Sequence, residues 1–276
     1  MKLTTLYEIR PQNNFSLGLR ELWQYRELLF FFTWRDVKVK YKQAALGAAW
    51  AILQPLLLML LFTLIFSKGL KLATGTLPYP FFAYAGLTLW HFFSSSVSHA
   101  AASMAANSNI IKKIYFPRLV VPLSAVAVAA FDFGFAFLVL LGLAAYFEVA
   151  VGWMRLLFFL PASLLLAAIA ATGMGTLLAA LNVKYKDFQY VIPFLLQVLF
   201  FASPVIYSAA ILGEGRWMEM LDFNPVAGAI HLFRSAFSAE AVDWSLVGKS
   251  SASALLLFAS GIFFFRKTEA FFADLA

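Results

Sequence analysis

The feature that most constrains this chain is its division into long uncharged apolar runs separated by short polar connectors. A helix needs about 17–25 predominantly apolar residues to cross the hydrocarbon core of a bilayer, and several runs here have that length. Of the 276 residues, 62% are hydrophobic and 13% are charged, against about 25% charged in an ordinary soluble domain. The connectors leave no soluble stretch long enough for an independent globular unit. The expected fold class is an all-α integral membrane protein with six transmembrane helices.

The spans are expected at about 46–67, 81–105, 119–147, 155–181, 189–207 and 246–265. Pro55 is expected to bend the first. The second is less apolar, and its later half carries Ser94, Ser95, Ser96, Ser98, His99 and Ser103. Small hydroxyl residues suit close packing of membrane helices, and His99 reads as a packed or pore-side histidine. Residues 208–245 contain Glu214, Arg216, Glu219 and Asp222, then an apolar run at 224–237 too short to cross. A re-entrant or surface helical pair is expected there. Before the first span, Leu19, Leu22, Trp23, Leu29, Phe30, Trp34, Val37 and Tyr41 share one face of a helix over 19–42. Arg20, Gln24, Glu27, Arg35, Lys38 and Lys42 share the other, so an amphipathic helix lying in the membrane interface is expected. The division is a cytoplasmic N-terminal segment, 1–45, and one membrane domain, 46–276.

The formal net charge is +7. The basic residues do not form one stripe, which argues against nucleic acid as a partner. They sit between the apolar runs, fifteen on one side and six on the other. By the positive-inside rule both termini are cytoplasmic. The first eighteen residues lack the apolar core of a secretory signal, so insertion is expected to depend on the spans themselves.

No catalytic constellation is evident. A phosphate loop of the form G-x-x-x-x-G-K-[ST], zinc-type histidine spacing and G-x-S-x-G are all absent, and there is no cysteine. The expectation is a chain that is not an enzyme and holds no metal or cofactor. One charge lies deep in a span, Asp132. An intramembrane carboxylate is a candidate proton or cation site, but the first and fifth spans offer no second ionisable group, which favours a structural aspartate. In the connector NSNIIKKIYFPR, Ile110, Ile111, Ile114 and Tyr115 form an apolar patch beside Lys112 and Lys113. It suits docking on a soluble partner; a basic loop obeying the positive-inside rule is the other reading.

Five stretches carry a resemblance to a known family: LGAAWAILQPLL (46–57), NSNIIKKIYFPRLVVPLS (107–124), LNVKYKDFQYVIPFLLQVLFFASPVIY (181–207), FNPVAGAIHLFR (223–234) and FRKTEAFFADLA (265–276). In these the chain resembles the membrane subunit of bacterial polysaccharide ABC exporters of the ABC-2 type, closer to O-antigen than to capsule exporters. The resemblance implies a multi-pass inner-membrane protein working as two copies with two separate nucleotide-binding subunits, which would hold ATP and magnesium. It implies a lipid-linked polysaccharide on undecaprenyl pyrophosphate as cargo, with teichoic acid or capsule as alternatives. A membrane enzyme of envelope polysaccharide synthesis and a proton-driven flippase resting on Asp132 are readings of other classes.

The resemblance also assigns residues. Asn109, Ile110, Ile111, Lys112, Lys113, Ile114, Tyr115 and Phe116 would form a coupling helix against the ATPase. Lys184, Tyr185, Lys186 and Asp187 would make a second contact. Trp50, Phe200, Phe201 and Tyr207 lie on spans that would line the channel. Arg35, Lys38, Lys40 and Lys42 would meet either the pyrophosphate or anionic membrane lipids. The 208–238 segment would supply gate helices.

Overall fold

The computed structural model describes residues 19–42, 47–69, 75–208, 221–238 and 240–269. All regular structure among them is helical. In chain order the helices are α1 (Leu19–Gln24), α2 (Arg26–Lys42), α3 (Gly47–Phe62, continued by a π-helical segment, Thr63–Gly69), α4 (Tyr79–Ala106) and α5 (Ser108–Ile111). They continue with α6 (Val120–Tyr146), α7 (Trp153–Lys184), α8 (Phe188–Ala202), α9 (Ala227–Ser235) and α10 (Trp244–Glu269). Glu214, Arg216 and Glu219 lie outside the described residues.

Four described helical segments are long and apolar enough to cross a bilayer: Ala49–Phe66, α6, α7 and α10. The other two expected spans are α4 and α8, and each departs from the simple rule for a different reason. With 28 residues, α4 is about 42 Å long at 1.5 Å per residue, yet it carries many polar side chains. It is the central helix, packed on α6, α7 and α9, so protein rather than lipid covers much of it. At 15 residues, α8 is about 22 Å long, short of the roughly 30 Å hydrocarbon core. Beyond it the chain runs on irregularly through Ser203–Tyr207, and Ser203 to Ile206 are buried.

Irregular backbone at membrane depth is tolerated only where the protein supplies the missing hydrogen bonds. Arg234 on α9 does this. Its guanidinium donates to the Pro204 carbonyl at 2.7 Å, to Val205 O, and to Phe82 O at 3.0 Å. It also lies 3.4 Å from the centre of the Phe82 ring, a cation–π contact. Gly86 makes the approach possible: a Cβ there would overlap both the Arg234 guanidinium and Val205 O. Asn224 holds the other side of the break, donating to Ala202 O at 3.2 Å and to Ser203 Oγ at 2.9 Å. The short apolar run expected as a re-entrant or surface pair is thus re-entrant: Ala227 to Ser235 are buried, apart from a half-buried His231.

A close crossing of α7 and α10 completes the bundle. A Cβ on Gly261 would overlap Gly173 O, so the two backbones touch, as small residues allow in membranes. The bundle has two ends. One gathers Thr76, Tyr79, Arg155, Ile206 and Glu240, with Tyr79 Oη donating to Ile206 O and Arg155 to Ser238 O. The other gathers Phe32, Asn107, Phe116, Arg118 and Glu269, with Arg118 N donating to Glu269 Oε1 at 3.2 Å.

The N-terminal helix differs from the single amphipathic helix expected. It breaks at Tyr25 into α1 and α2, and α2 packs along α6. Phe32 and Val37 are buried against the protein, while Trp23, Phe30, Phe31 and Trp34 are exposed. The apolar set is therefore split between two faces, one for the bundle and one for the surroundings. Aromatic rings flanked by cations, such as Arg26 over Trp23 and Lys38 over Trp34, suit the headgroup layer.

Replacing Arg234 with leucine is expected to destabilise the fold by about 1–3 kcal/mol for each carbonyl left without its donor. Thermal unfolding in detergent should show a clear fall in midpoint, smaller for Arg234→Lys, and an unchanged midpoint would contradict the assigned role.

Candidate functional site

Three features of the described structure offer something other than lipid-facing or core packing: the exposed connectors at the basic end, a groove beside α2, and a cleft between α3, α4 and α8. They succeed one another from the basic end into the bundle.

The 107–118 connector is shorter in helix than expected. Only Ser108–Ile111 form a turn of α-helix, followed by a hydrogen-bonded turn through Ile114. Its apolar residues divide. Ile111 and Phe116 are buried, and Phe116 packs on Phe32 with ring centroids 5.7 Å apart. Ile114 and Tyr115 are exposed at 62% and 66%. The single apolar patch expected from sequence is thus two inward anchors and two outward contacts. Asn109, Lys112 and Lys113 are exposed beside them, and Ile110 is half-buried. The second connector presents Lys184, Tyr185, Lys186 and Asp187, all exposed, with the Lys184 ammonium 5.1 Å from the Tyr185 ring. Asn182 ties it to the bundle by donating to Ala101 O at 3.1 Å.

The groove lies between α2, the end of α4, α5 and α6 and encloses about 710 Å³. Arg35, Lys40, His99, Asn107 and Asn109 line it over a floor that includes Val121, Ala125 and Val128. Its cations are partly committed. Arg35 pairs with Asp36 at 2.7 Å and donates to Asn107 Oδ1 at 2.8 Å. Lys40 pairs with Asp132 at 2.5 Å. Lys38 and Lys42 are exposed and do not line the groove.

Asp132 is therefore not the solitary intramembrane charge that inspection of the spans suggested. Its carboxylate, 2% exposed, accepts from Lys40 and from the Tyr41 hydroxyl. Burial first, then the hydrogen bond to this carboxylate and its charge, hold the Tyr41 phenol well above its ordinary range. It is a donor at any physiological pH. The partners come from the helix preceding the first span, outside the stretches where a relay was sought. They also relocate Asp132: it sits level with the point where the chain leaves α2 for α3.

From the groove, one face of α4 leads inward. His91, Ser94, Ser95, Ser98 and His99 have the spacing i, i+3, i+4, i+7, i+8, and none is fully buried. Ser96 and Ser103 are buried. The hydroxyls expected to serve helix packing are thus divided: Ser94 lines the cleft, Ser103 lines the groove, and Ser95 and Ser98 are half-buried between them. His99 Nδ1 is 2.8 Å from Ser95 O. A carbonyl only accepts, so Nδ1 carries the proton in that contact.

The cleft, about 280 Å³, is lined by Gln54, Trp90, His91, Ser94, Gln197 and Phe200 among others. Of the four expected channel residues, Phe200 lies in it, half-buried against Trp90 (centroids 5.5 Å) and Phe62 (6.0 Å). Trp50 and Phe201 are exposed at 54% and 58%, one turn from Gln54 and Gln197 on the same faces. Tyr207 is half-buried and donates to Phe201 O at 2.9 Å. Sequence reasoning overlooked Gln54, Trp90 and Gln197. Two amides set within apolar runs were the available signal. No group of three or more His, Cys, Asp or Glu side chains among the described residues could hold a metal.

A helical bundle with several bilayer-spanning helices, a buried re-entrant helix and exposed basic connectors at one end defines a multi-pass membrane protein of the transporter class. The chain belongs to the ABC-2 type transporter family, which it matches over residues 27–238. It is 30% identical over 257 residues to the O-antigen export system permease protein RfbA of Myxococcus xanthus, covering 92% of this chain and 97% of that one. It is 27% identical over 255 residues to the RfbA permease of Klebsiella pneumoniae, covering 90% and 95%. It is also 26% identical over 210 residues to the polysialic acid transport protein KpsM of Escherichia coli, covering 73% and 78%.

The division of the connector can be checked with single cysteines, because the natural chain has none. Ile114→Cys and Tyr115→Cys should react with a water-soluble maleimide roughly an order of magnitude faster than Ile111→Cys or Phe116→Cys, whose labelling requires local opening. Equal rates would contradict the inward anchoring of Ile111 and Phe116.

Proposed function

We propose that this chain is the membrane permease subunit of an ATP-driven exporter of lipid-linked polysaccharide, of the O-antigen kind. The observation that carries the reading is the cleft: amides and aromatic rings set in an apolar bundle, reached along a hydroxyl and histidine face from the basic end. Aromatic faces receive the apolar faces of sugar rings, and amides pair with their hydroxyls. Neither contact demands one fixed register, so a repeating polymer can advance past Trp90, Phe200, Gln54 and Gln197. Trp50 and Phe201 extend the same chemistry along α3 and α8.

The basic end is the cytoplasmic one on this reading, as the excess of Lys and Arg there supports, and both termini are cytoplasmic. Six crossings result if α4 and α8, with its irregular extension, each traverse the bilayer. The exposed connectors, Lys112 to Tyr115 and Lys184 to Asp187, meet a separate nucleotide-binding subunit that binds ATP and magnesium. Two copies of each subunit make the working unit, and ATP-driven movement of the connectors rearranges the spans. The groove beside α2 receives the pyrophosphate of an undecaprenyl carrier or the headgroup of an anionic lipid, with Arg35 the best-placed cation. The buried α9 and the 208–238 segment form the periplasmic gate.

A second reading, export of a capsular polymer, draws support from the likeness to KpsM at lower identity and coverage. The two differ in cargo and share the machinery.

Co-expression with the nucleotide-binding subunit tests the reading. The two should co-purify with ATPase activity, and reversing Lys112 and Lys113 to glutamate should sharply reduce both the ATPase recovered and glycan export in cells. Co-purification and export unaffected by the double reversal would remove the connector from the docking face, and absence of any associated ATPase would sink the proposal.

A further inference from the structure

Asp132 is held too specifically to be a bystander. We propose that it is a positioning residue that passes movement of the 107–118 connector to α3, and so to the cleft. The inference rests on the reading of that connector as the face that meets the ATPase.

The last residues of the connector are hydrogen-bonded into the start of α6. Val120 N donates to Pro117 O at 3.0 Å and Val121 N to Arg118 O at 3.1 Å. From there α6 is a single helix of 27 residues, and Asp132 lies about 18 Å along it at 1.5 Å per residue. At that point the buried carboxylate grips the last turn of α2 through Lys40 Nζ at 2.5 Å and the Tyr41 hydroxyl. The Tyr41 ring is seated between Phe131 and Phe135, with centroids 5.9 and 6.0 Å away. Near its middle α2 is fastened to the connector itself, by Phe32 on Phe116 and by Arg35 on Asn107. Connector, α6 and α2 are therefore joined at two levels, the middle and the last turn of α2, and move together.

The next helix in the chain is α3, whose first residue, Gly47, comes five positions after Lys42. Five residues reach at most about 18 Å even when fully extended, so a displacement of the α2 terminus is handed to α3 over a short leash. Trp50 and Gln54 lie near the start of α3, and Gln54 lines the cleft. Asp132 thus joins the input side of the machine to the wall of the polymer path. Lys40 faces both Asp132 and the groove and is 37% exposed. Loss of the carboxylate therefore lets the ammonium regain water rather than leaving it stranded, and a variant lacking the charge should still fold.

The test uses the complete complex with its nucleotide-binding subunit, reconstituted in proteoliposomes. Asp132→Asn should assemble and hydrolyse ATP at close to the native rate while exporting roughly tenfold less glycan per ATP, the scale of an ordinary coupling free energy. Exchanging the charges, Lys40→Asp with Asp132→Lys, should recover most of that ratio, which a proton-carrying carboxylate at position 132 would not. A native export-to-ATP ratio in Asp132→Asn overturns the proposal. So does a parallel loss of ATPase and export, which would mark a purely structural residue. If Asp132→Asn does not fold, Tyr41→Phe removes one hydrogen bond and no charge, and an unchanged ratio in that variant overturns the proposal instead. Failure of the unaltered chain to assemble with an ATPase would count against the function reading, not against Asp132.

Discussion

The irregular stretch that follows α8, and the buried helix α9 behind it, depend on one guanidinium. A bilayer offers no water to a broken backbone, so the irregular stretch after α8 can exist only if donors arrive from elsewhere. Arg234 brings them, to Pro204, Val205 and Phe82, and Asn224 closes the other side. Once those carbonyls are satisfied, α8 can stop short of the full bilayer thickness and α9 can dip back into the bundle. The aromatic core around it, with Phe233 against Phe133 and Phe237 against Phe81, then fills a space that another full span would otherwise occupy. A buried charge is expensive without partners, and here its partners are the unsatisfied groups that made it necessary.

The same logic explains why α4, though long, lacks the continuous apolar run of a lipid-facing span. Covered by α6, α7 and α9 over much of its surface, it does not need the hydropathy that lipid imposes on α6 or α10. Its remaining face carries histidine and serine and connects the groove at the basic end to the amide and aromatic cleft. The protein thus separates three surroundings: lipid for the outer faces of α3, α6 and α7, protein for α9 and the buried side of α4, and a polar path for the rest. On the proposed function, a polymer moved by a separate ATPase needs this division. Binding along the path has to be repetitive and shallow, and force has to arrive through the connectors rather than through chemistry within the chain.

Much of this was legible in the residues. The apolar runs near 46–67, 119–147, 155–181 and 246–265 correspond within a few residues to crossing helices, because length and hydropathy are local properties of a sequence. The re-entrant run at 224–237 was legible as too short to cross. Its burial was not, since that depends on Arg234 finding carbonyls some 30 and 150 positions away along the chain. The partners of Asp132 were missed for the same reason: Lys40 and Tyr41 belong to a helix outside the spans, and no periodicity connects position 40 to position 132. Helical spacing grouped Trp23, Phe30 and Trp34 with Val37 and Tyr41 on one face, and the structure exposes the first three while turning Val37 and Tyr41 toward the bundle. In the connector, periodicity grouped Ile111 with Ile114, and a single turn at Lys112–Lys113 sent them in opposite directions. The serines of α4 suit helix packing by size alone, and only the fold shows that Ser94 lines the cleft while Ser96 is buried.

The most direct measurement of the central claim is transport in sealed vesicles that contain this chain with its nucleotide-binding subunit and a fluorescent lipid-linked glycan. The expected result is glycan translocation that requires ATP and both subunits and persists when the proton gradient is collapsed. Translocation by this chain alone, or translocation driven by a proton gradient without ATP, would contradict it.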